Sequence, residues 1–195
     1  MQKYRAKAKD SFKTKKALFL FDSALNDKHQ VEEADFVSFE IMEELVKAYT
    51  SEYWQQPLDY EIKGKPVSEI ERLFNLIEKE NLDTFLQLEK DYILSFENIF
   101  PATSFEKLLS EKNCHYCKIS KDEIEELGKK NLLYKKTLRG WNLEIDRLNS
   151  NLEYFPENCV MSCYWCNNAK TDEFTESEFL KIGSVINAIW NDRLR

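Results

Sequence analysis

Cys114-His115-Tyr116-Cys117 and Cys163-Tyr164-Trp165-Cys166 are two CxxC turns with 45 residues between them, and they constrain this chain more than any other feature. Each turn presents two thiolates on a tight loop, and two such turns complete the four-sulfur tetrahedron that a structural zinc ion prefers. A chain clipped in this way brings residues 114–117 onto 163–166, so the segment between them is a loop tethered at both ends. The other use of two CxxC pairs is a redox dithiol pair. Cys159, the fifth cysteine, falls outside both turns and reads as a buried strand residue.

An odd cysteine count fits metal ligation in a reducing compartment better than a disulfide framework. No stretch approaches the ~18 to 20 apolar residues of a membrane span, and the amino terminus lacks an apolar run with a small-residue cleavage site. A cytoplasmic protein is expected. Only 4 glycines and 4 prolines occur in 195 residues, far below the usual ~7% and ~5%, so long helices and few tight turns are expected. With 43% apolar residues the chain has enough material for a core.

Charge is unevenly placed. Lys3, Arg5, Lys7, Lys9, Lys13, Lys15 and Lys16 stand against Asp10 alone, a local +6 in a chain whose net charge is -7. A basic arm of this kind neutralises phosphates and releases counterions, or is simply a solvated, partly disordered terminus. The acidic remainder argues against broad adhesion to nucleic acid and for a local patch or an assisting partner.

The two halves, 1–100 and 101–195, read differently. Phe36, Phe39, Met42, Leu45, Val46, Tyr49 and Tyr53 fall at helical spacing and predict an amphipathic helix from about Asp35 to Trp54. Ser68 with Glu71 makes a capping-box pattern before Ile70, Leu73, Phe74 and Ile77, and another helix carries Phe85, Leu86, Tyr92, Ile93 and Phe96. The first half is thus a small helical bundle with an aromatic core and no evident chemistry. In the second, Phe105, Leu108 and Leu109 suggest a short helix, and Ser120 with Glu123 caps another after Cys117. Trp141, Leu143 and Ile145 alternate as in a half-buried strand that ends at Asp146, and Cys159–Ser162 is its antiparallel partner. Asn167 to Lys170 opens a helix. Thr175 with Glu178 caps a last one, whose apolar face is Phe179, Ile182, Val185, Ile186, Ile189 and Trp190. Trp141 and Trp165 are read as packing near the cysteine turns.

At Leu143-Glu144-Ile145-Asp146-Arg147, Asn158, the second CxxC, Asn167 and Lys170, the sequence resembles the HNH endonuclease family. The resemblance spans about residues 113 to 175 and implies a ββα-metal hairpin and helix of the zinc-clipped, four-cysteine type. Together with the helical periodicity of the first half, the expected fold class is mainly α with a small α+β module: a helical bundle (1–100), then the ββα-metal core with a carboxyl-terminal helix (101–195). The family pattern has Asp-His on the first strand, an Asn before the second cysteine pair, and a His or Asn after it. Asp146, Arg147, Asn158 and Asn167 stand at those places, with Lys170 and Asp172 extending the match. The resemblance implies hydrolysis of phosphodiester bonds, most of all in DNA, with a catalytic Mg²⁺ or Mn²⁺ held by the Asp146 carboxylate and the Asn167 carbonyl. It gives Asn158 the positioning of the loop and Lys170 a flanking phosphate.

Arg147 departs from the pattern. The family histidine is a general base, and a guanidinium cannot take that proton near neutral pH. The Asp-Arg variant is a recurrent branch, in which the arginine clamps phosphate charge. Water activation then falls to the metal or another side chain, with His115 and Tyr154 nearest in sequence and His29 a remote third. The competing class is a noncatalytic zinc module that binds nucleic acid or protein, with Arg147 recording loss of the base. Family members serve, among other settings, in antiviral defence, and the helical first half offers a docking surface for a larger partner such as an ATPase.

Overall fold

Apolar residues interleaved with the cations draw the basic segment into a helix: α1 (Gln2–Leu25) contains all seven of them and buries Ala8, Ser11, Phe12 and Leu18 to Phe21. The computed structural model describes residues 2–134 and 139–195. They fall into two units, Met1–Ile99 with Asn151–Glu153, and Phe100–Ser150 with Tyr154–Arg195. Of the two readings of the basic segment, a partly disordered terminus is corrected by α1, although Lys3, Arg5, Lys9 and Lys13 on it are exposed. Three of its lysines reach carboxylates: Lys16 to Glu78 at 2.6 Å, Lys9 to Glu89 at 3.7 Å and Lys7 to Asp10 at 3.8 Å.

In the first unit α1 packs against α4 (Val67–Glu80) and α5 (Leu82–Ser95). Ile70, Leu73 and Ile77 of α4 and Phe85, Leu88 and Tyr92 of α5 are buried there. The single helix expected over 35–54 is instead α2 (Glu33–Ser38), an extended step, α3 (Glu43–Lys47) and a wider π-helical turn, Ala48–Tyr53. Packing explains the break. Phe36 and Phe39 both meet Phe19, at 5.2 and 5.3 Å, while Tyr49 and Tyr53 both meet Phe21, at 5.2 and 5.3 Å. A straight helix would set residues 36 and 53 about 25 Å apart, whereas the bent path seats both pairs against α1.

Ser68 does not cap α4. A hairpin, β1 (Glu61–Ile62) with β2 (Lys65–Pro66), turns at Lys63 and Gly64, both left-handed (φ 53° and 77°), and runs straight into the helix. The first amides of α4 are already satisfied there: Val67 N–H donates to Tyr60 O and Ser68 N–H to Leu58 O.

The second unit begins with α6 (Ala102–Ser110) and α7 (Lys121–Lys129), the latter opened by the Ser120/Glu123 capping box. β3 (Glu144–Arg147) pairs antiparallel with β4 (Cys159–Ser162), Asp146 opposite Val160 and Arg147 opposite Cys159. α8 (Tyr164–Lys170) packs against β3, and α9 (Glu176–Leu194), capped by Thr175/Glu178, packs against α7. Trp141 precedes the strand and lies beside Gly128 of α7; Trp165 meets Trp190 at 4.9 Å. The α9 face is also narrower than its apolar pattern. Phe179 and Trp190 are buried, but Val185 and Ile189 are 62% and 45% exposed. The contact stripe runs instead through Gly183 and Asn187, whose Nδ2 donates to Cys117 O at 2.7 Å.

Candidate functional site

The first cysteine turn closes because Lys118 takes a left-handed backbone (φ 61°) and donates its N–H to Cys114 O, while Cys114 N–H donates to Ile119 O. His115 N–H donates to Met161 O at 2.7 Å, which ties this turn to β4, the strand that delivers Cys163. Cys163 in turn caps α8, its Sγ accepting from Cys166 N–H. All four cysteines are fully buried and their Sγ atoms lie within 4.8 Å of one another. Zn–S bonds of about 2.3 Å in a tetrahedron set sulfurs about 3.8 Å apart; Cys117 and Cys163 Sγ are 3.6 Å apart. Soft donors at this spacing fit zinc. Among the described residues no other group of three or more His, Cys, Asp or Glu side chains converges in this way.

The four sulfurs also perturb one another. Hydrogen bonds from Cys117, Cys163 and Cys166 pull the Cys114 thiol well below its ordinary range, and the Cys163 and Cys166 thiols are pushed far up by Cys114 and Cys117. A dication bound among them would favour the thiolate form of all four. Cys159 is buried on β4 and lies outside the cluster.

Around this clip stand the other residues singled out by sequence. Asp146 on β3 accepts a 2.7 Å hydrogen bond at Oδ2 from the Tyr116 hydroxyl, and Lys170 Nζ is 3.9 Å from the same oxygen. Burial pushes the Asp146 carboxyl above the usual range, opposed by that hydrogen bond and by Lys170. Burial and the adjoining Asp146 likewise push the Tyr116 phenol up, so it stays a donor. Asn158 is buried and clamps the neck of the loop after β3: Nδ2 donates to Asn149 O at 3.0 Å and Oδ1 accepts from Asn149 N–H at 2.9 Å. The Arg147 guanidinium stacks on the Tyr154 ring at 4.7 Å. His115 Nε2 is 2.7 Å from Glu176 Oε1, so its imidazole is oriented by the first turn of α9. His29 is exposed in the first unit.

Two placements differ from expectation. α8 starts at Tyr164, because Cys163 is itself the cap, which leaves Asn167 within the helix and Lys170 at its end. Lys170 is 1% exposed, and its ammonium donates to Arg147 O at 3.0 Å. The expected flanking-phosphate contact is thus corrected: this cation is spent inside, bracing β3 and balancing Asp146. Asn167, for its part, is engaged by Glu144, its Nδ2 donating to Oε2 at 2.8 Å.

Sequence reasoning missed Glu144 and Tyr116. Glu144 is two residues before Asp146, so the period-two alternation of a strand already put both carboxylates on one face. Tyr116, inside the first CxxC, carried no signal, because its contact with Asp146 spans 30 residues.

The comparisons with known proteins come to little. No family model matches the chain. Over 83 residues, 43% of the chain, it is 35% identical to uncharacterized protein R423 of Acanthamoeba polyphaga mimivirus, and the match covers 12% of that protein's length. Among solved structures there is a likeness to the rare-cutting HNH restriction endonuclease PacI, with 30% identity over 44% of this chain and 58% of that one and a TM-score of 0.37.

Proposed function

We propose that this chain is a metal-dependent endonuclease of the HNH type that hydrolyses phosphodiester bonds in DNA. The observation that carries the reading is the strand and helix pinned by four cysteines, with Asp146 on β3 and Asn167 on α8, the residues that the family pattern assigns to one cation. The donor set suits a hard ion, since both residues offer oxygen, and a cation beside Asp146 would offset the burial that pushes its carboxyl above the usual range. Mg²⁺ or Mn²⁺ bound there would polarise the scissile phosphate and offset charge on the leaving 3′ oxygen. The protein's own contribution is preorganisation: Tyr116 and Lys170 orient Asp146, Asn158 holds the loop, and Arg147, steadied by Tyr154, supplies permanent positive charge for the phosphate.

Plasmid nicking in Mg²⁺ or Mn²⁺ tests this. Asp146→Ala and Asn167→Ala should each lower cleavage at least ~100-fold; undiminished activity in both would remove the assigned site. One observation favours a second reading, a noncatalytic zinc module that binds nucleic acid or protein: a stacked arginine stands where a base is expected. DNA binding by wild type without cleavage under any metal would support it. The proposed setting is antiviral defence in the cytoplasm, with the helical first unit docking on a larger partner such as an ATPase; among the described residues no helix is long and apolar enough to cross a membrane. Pull-down with the products of neighbouring genes tests the partner.

A further inference from the structure

An asparagine holds a cation only through its carbonyl end, so something must decide which end of the Asn167 amide faces the ion. We propose that Glu144 is the positioning residue that makes this choice, with Arg139 holding Glu144 in place; the inference rests on the cation site proposed above. Glu144 and Asp146 share one face of β3, and Asn167 and Lys170, three residues apart, share one face of α8. The two faces meet in matching pairs, Asn167 with Glu144 at 2.8 Å and Lys170 with Arg147 O and Asp146 at 3.0 and 3.9 Å.

A carboxylate only accepts hydrogen bonds, whereas an amide has one donating and one accepting end. Facing Glu144, Asn167 must present its NH₂, which turns the carbonyl Oδ1 away from Glu144 and leaves it to the cation. Glu144 is itself held at both oxygens by Arg139, Nε donating to Oε1 at 3.2 Å and Nη2 to Oε2 at 2.8 Å. That guanidinium also lies over the ring of Tyr164, the first residue of α8, at 5.3 Å. Strand and helix are thus joined by an arginine fork on the carboxylate whose other contact sets the amide.

The identity of Glu144 matters as much as its place. In Glu144→Gln the shape is kept, but glutamine offers Asn167 either a carbonyl or an NH₂, and the amide is free to turn over. Orienting partners of this kind are worth ~10-fold to ~100-fold in metal affinity. The reciprocal pair Glu144→Gln with Asn167→Asp keeps the net charge and restores a one-way contact, now donated by the glutamine, with an oxygen of residue 167 always left for the ion.

Mn²⁺ binding to zinc-loaded protein, followed by electron paramagnetic resonance with Asp146→Ala as background, tests the proposal without DNA or turnover. Glu144→Gln should bind Mn²⁺ about tenfold more weakly than wild type, with zinc content and melting unchanged, and the double variant should recover most of the loss. Wild-type affinity in Glu144→Gln, or a double variant weaker than the single one, overturns the role of Glu144 while leaving the cation site standing. Wild type that binds no more Mn²⁺ than Asp146→Ala overturns the site itself, and this inference with it.

Discussion

Gly183→Ala should destabilise the second unit, and the sign of the effect is what tests the packing described here. In the middle of an ordinary helix, replacing glycine by alanine stabilises by ~0.5–1 kcal/mol. At Gly183 of α9 an added Cβ would stand 2.8 Å from both the carbonyl carbon and the oxygen of Tyr116, and 3.0 Å from its Cβ. Ordinary contact begins at 3.4 Å, so helix and turn would have to part by about 0.6 Å. Neither yields easily, since Tyr116 lies between two cysteines of the clip and Asn187 ties the same helix to Cys117 O at 2.7 Å. Overpacking of this kind costs about 1–3 kcal/mol; less the helix-propensity gain, the net loss is about 1 kcal/mol, or ~4–8 °C in Tm for a unit of this size. Thermal unfolding of zinc-loaded protein and the rate of zinc loss to a chromogenic chelator are the readouts. Gly128→Ala is the control. Its Cβ would come within 2.6 Å of Trp141, but that neighbour is the edge of a ring in a residue 40% exposed, which can swing aside. A Gly183→Ala protein that melts at or above wild type would refute the account of how α9 seats the cysteine turn.

Three further outcomes are expected. Cys117→Ser removes one of four converging sulfurs and should abolish tight zinc binding, which in structural sites is worth about 10–16 kcal/mol; one zinc per chain with an unchanged melt would contradict the cluster. Asn158→Ala deletes both side-chain bonds that close the loop and should cost about 2 kcal/mol, read by urea unfolding, with no loss speaking against the clamp. In the first unit, burial pushes the Glu153 carboxyl above its usual range, against the Tyr92 hydroxyl that donates to it and Lys15. A carboxyl raised in the folded state stabilises the fold fully only below its unfolded value near ~4.3, and that contribution is lost as pH rises through the folded value. Glu153→Gln keeps an acceptor for Tyr92 without the charge, so it should melt higher than wild type at pH 7, with the gain fading toward pH 4; a gain constant across that range would count against this.

Features that depend on neighbours along the chain were legible in the sequence. The cysteine turns, the Ser120/Glu123 and Thr175/Glu178 caps and the strand Cys159–Ser162 stand where residue type and spacing put them, while its partner is Glu144–Arg147 rather than a strand from Trp141 to Asp146. So did the aromatic core of the first half, in which Phe36, Phe85, Tyr92 and Phe96 are buried. Periodicity failed where a distant surface had the final say. Two rings of α1 broke the helix expected over 35–54, and loop carbonyls took over the start of α4 from Ser68. A close approach at Gly183 narrowed the buried stripe of α9.

The same division runs through the candidate site. The family resemblance singled out Asp146, Asn158 and Asn167, and the CxxC spacing the four cysteines, because ligand chemistry is a property of the side chain wherever it lies. Tertiary structure decided what each side chain faces: Tyr116 reaching Asp146, Lys170 turned inward, and Asn167 held by Glu144. Those contacts join residues 23 to 30 positions apart. A hydrogen bond is directional and short, so it depends on how strand and helix are seated on each other, which no local pattern encodes.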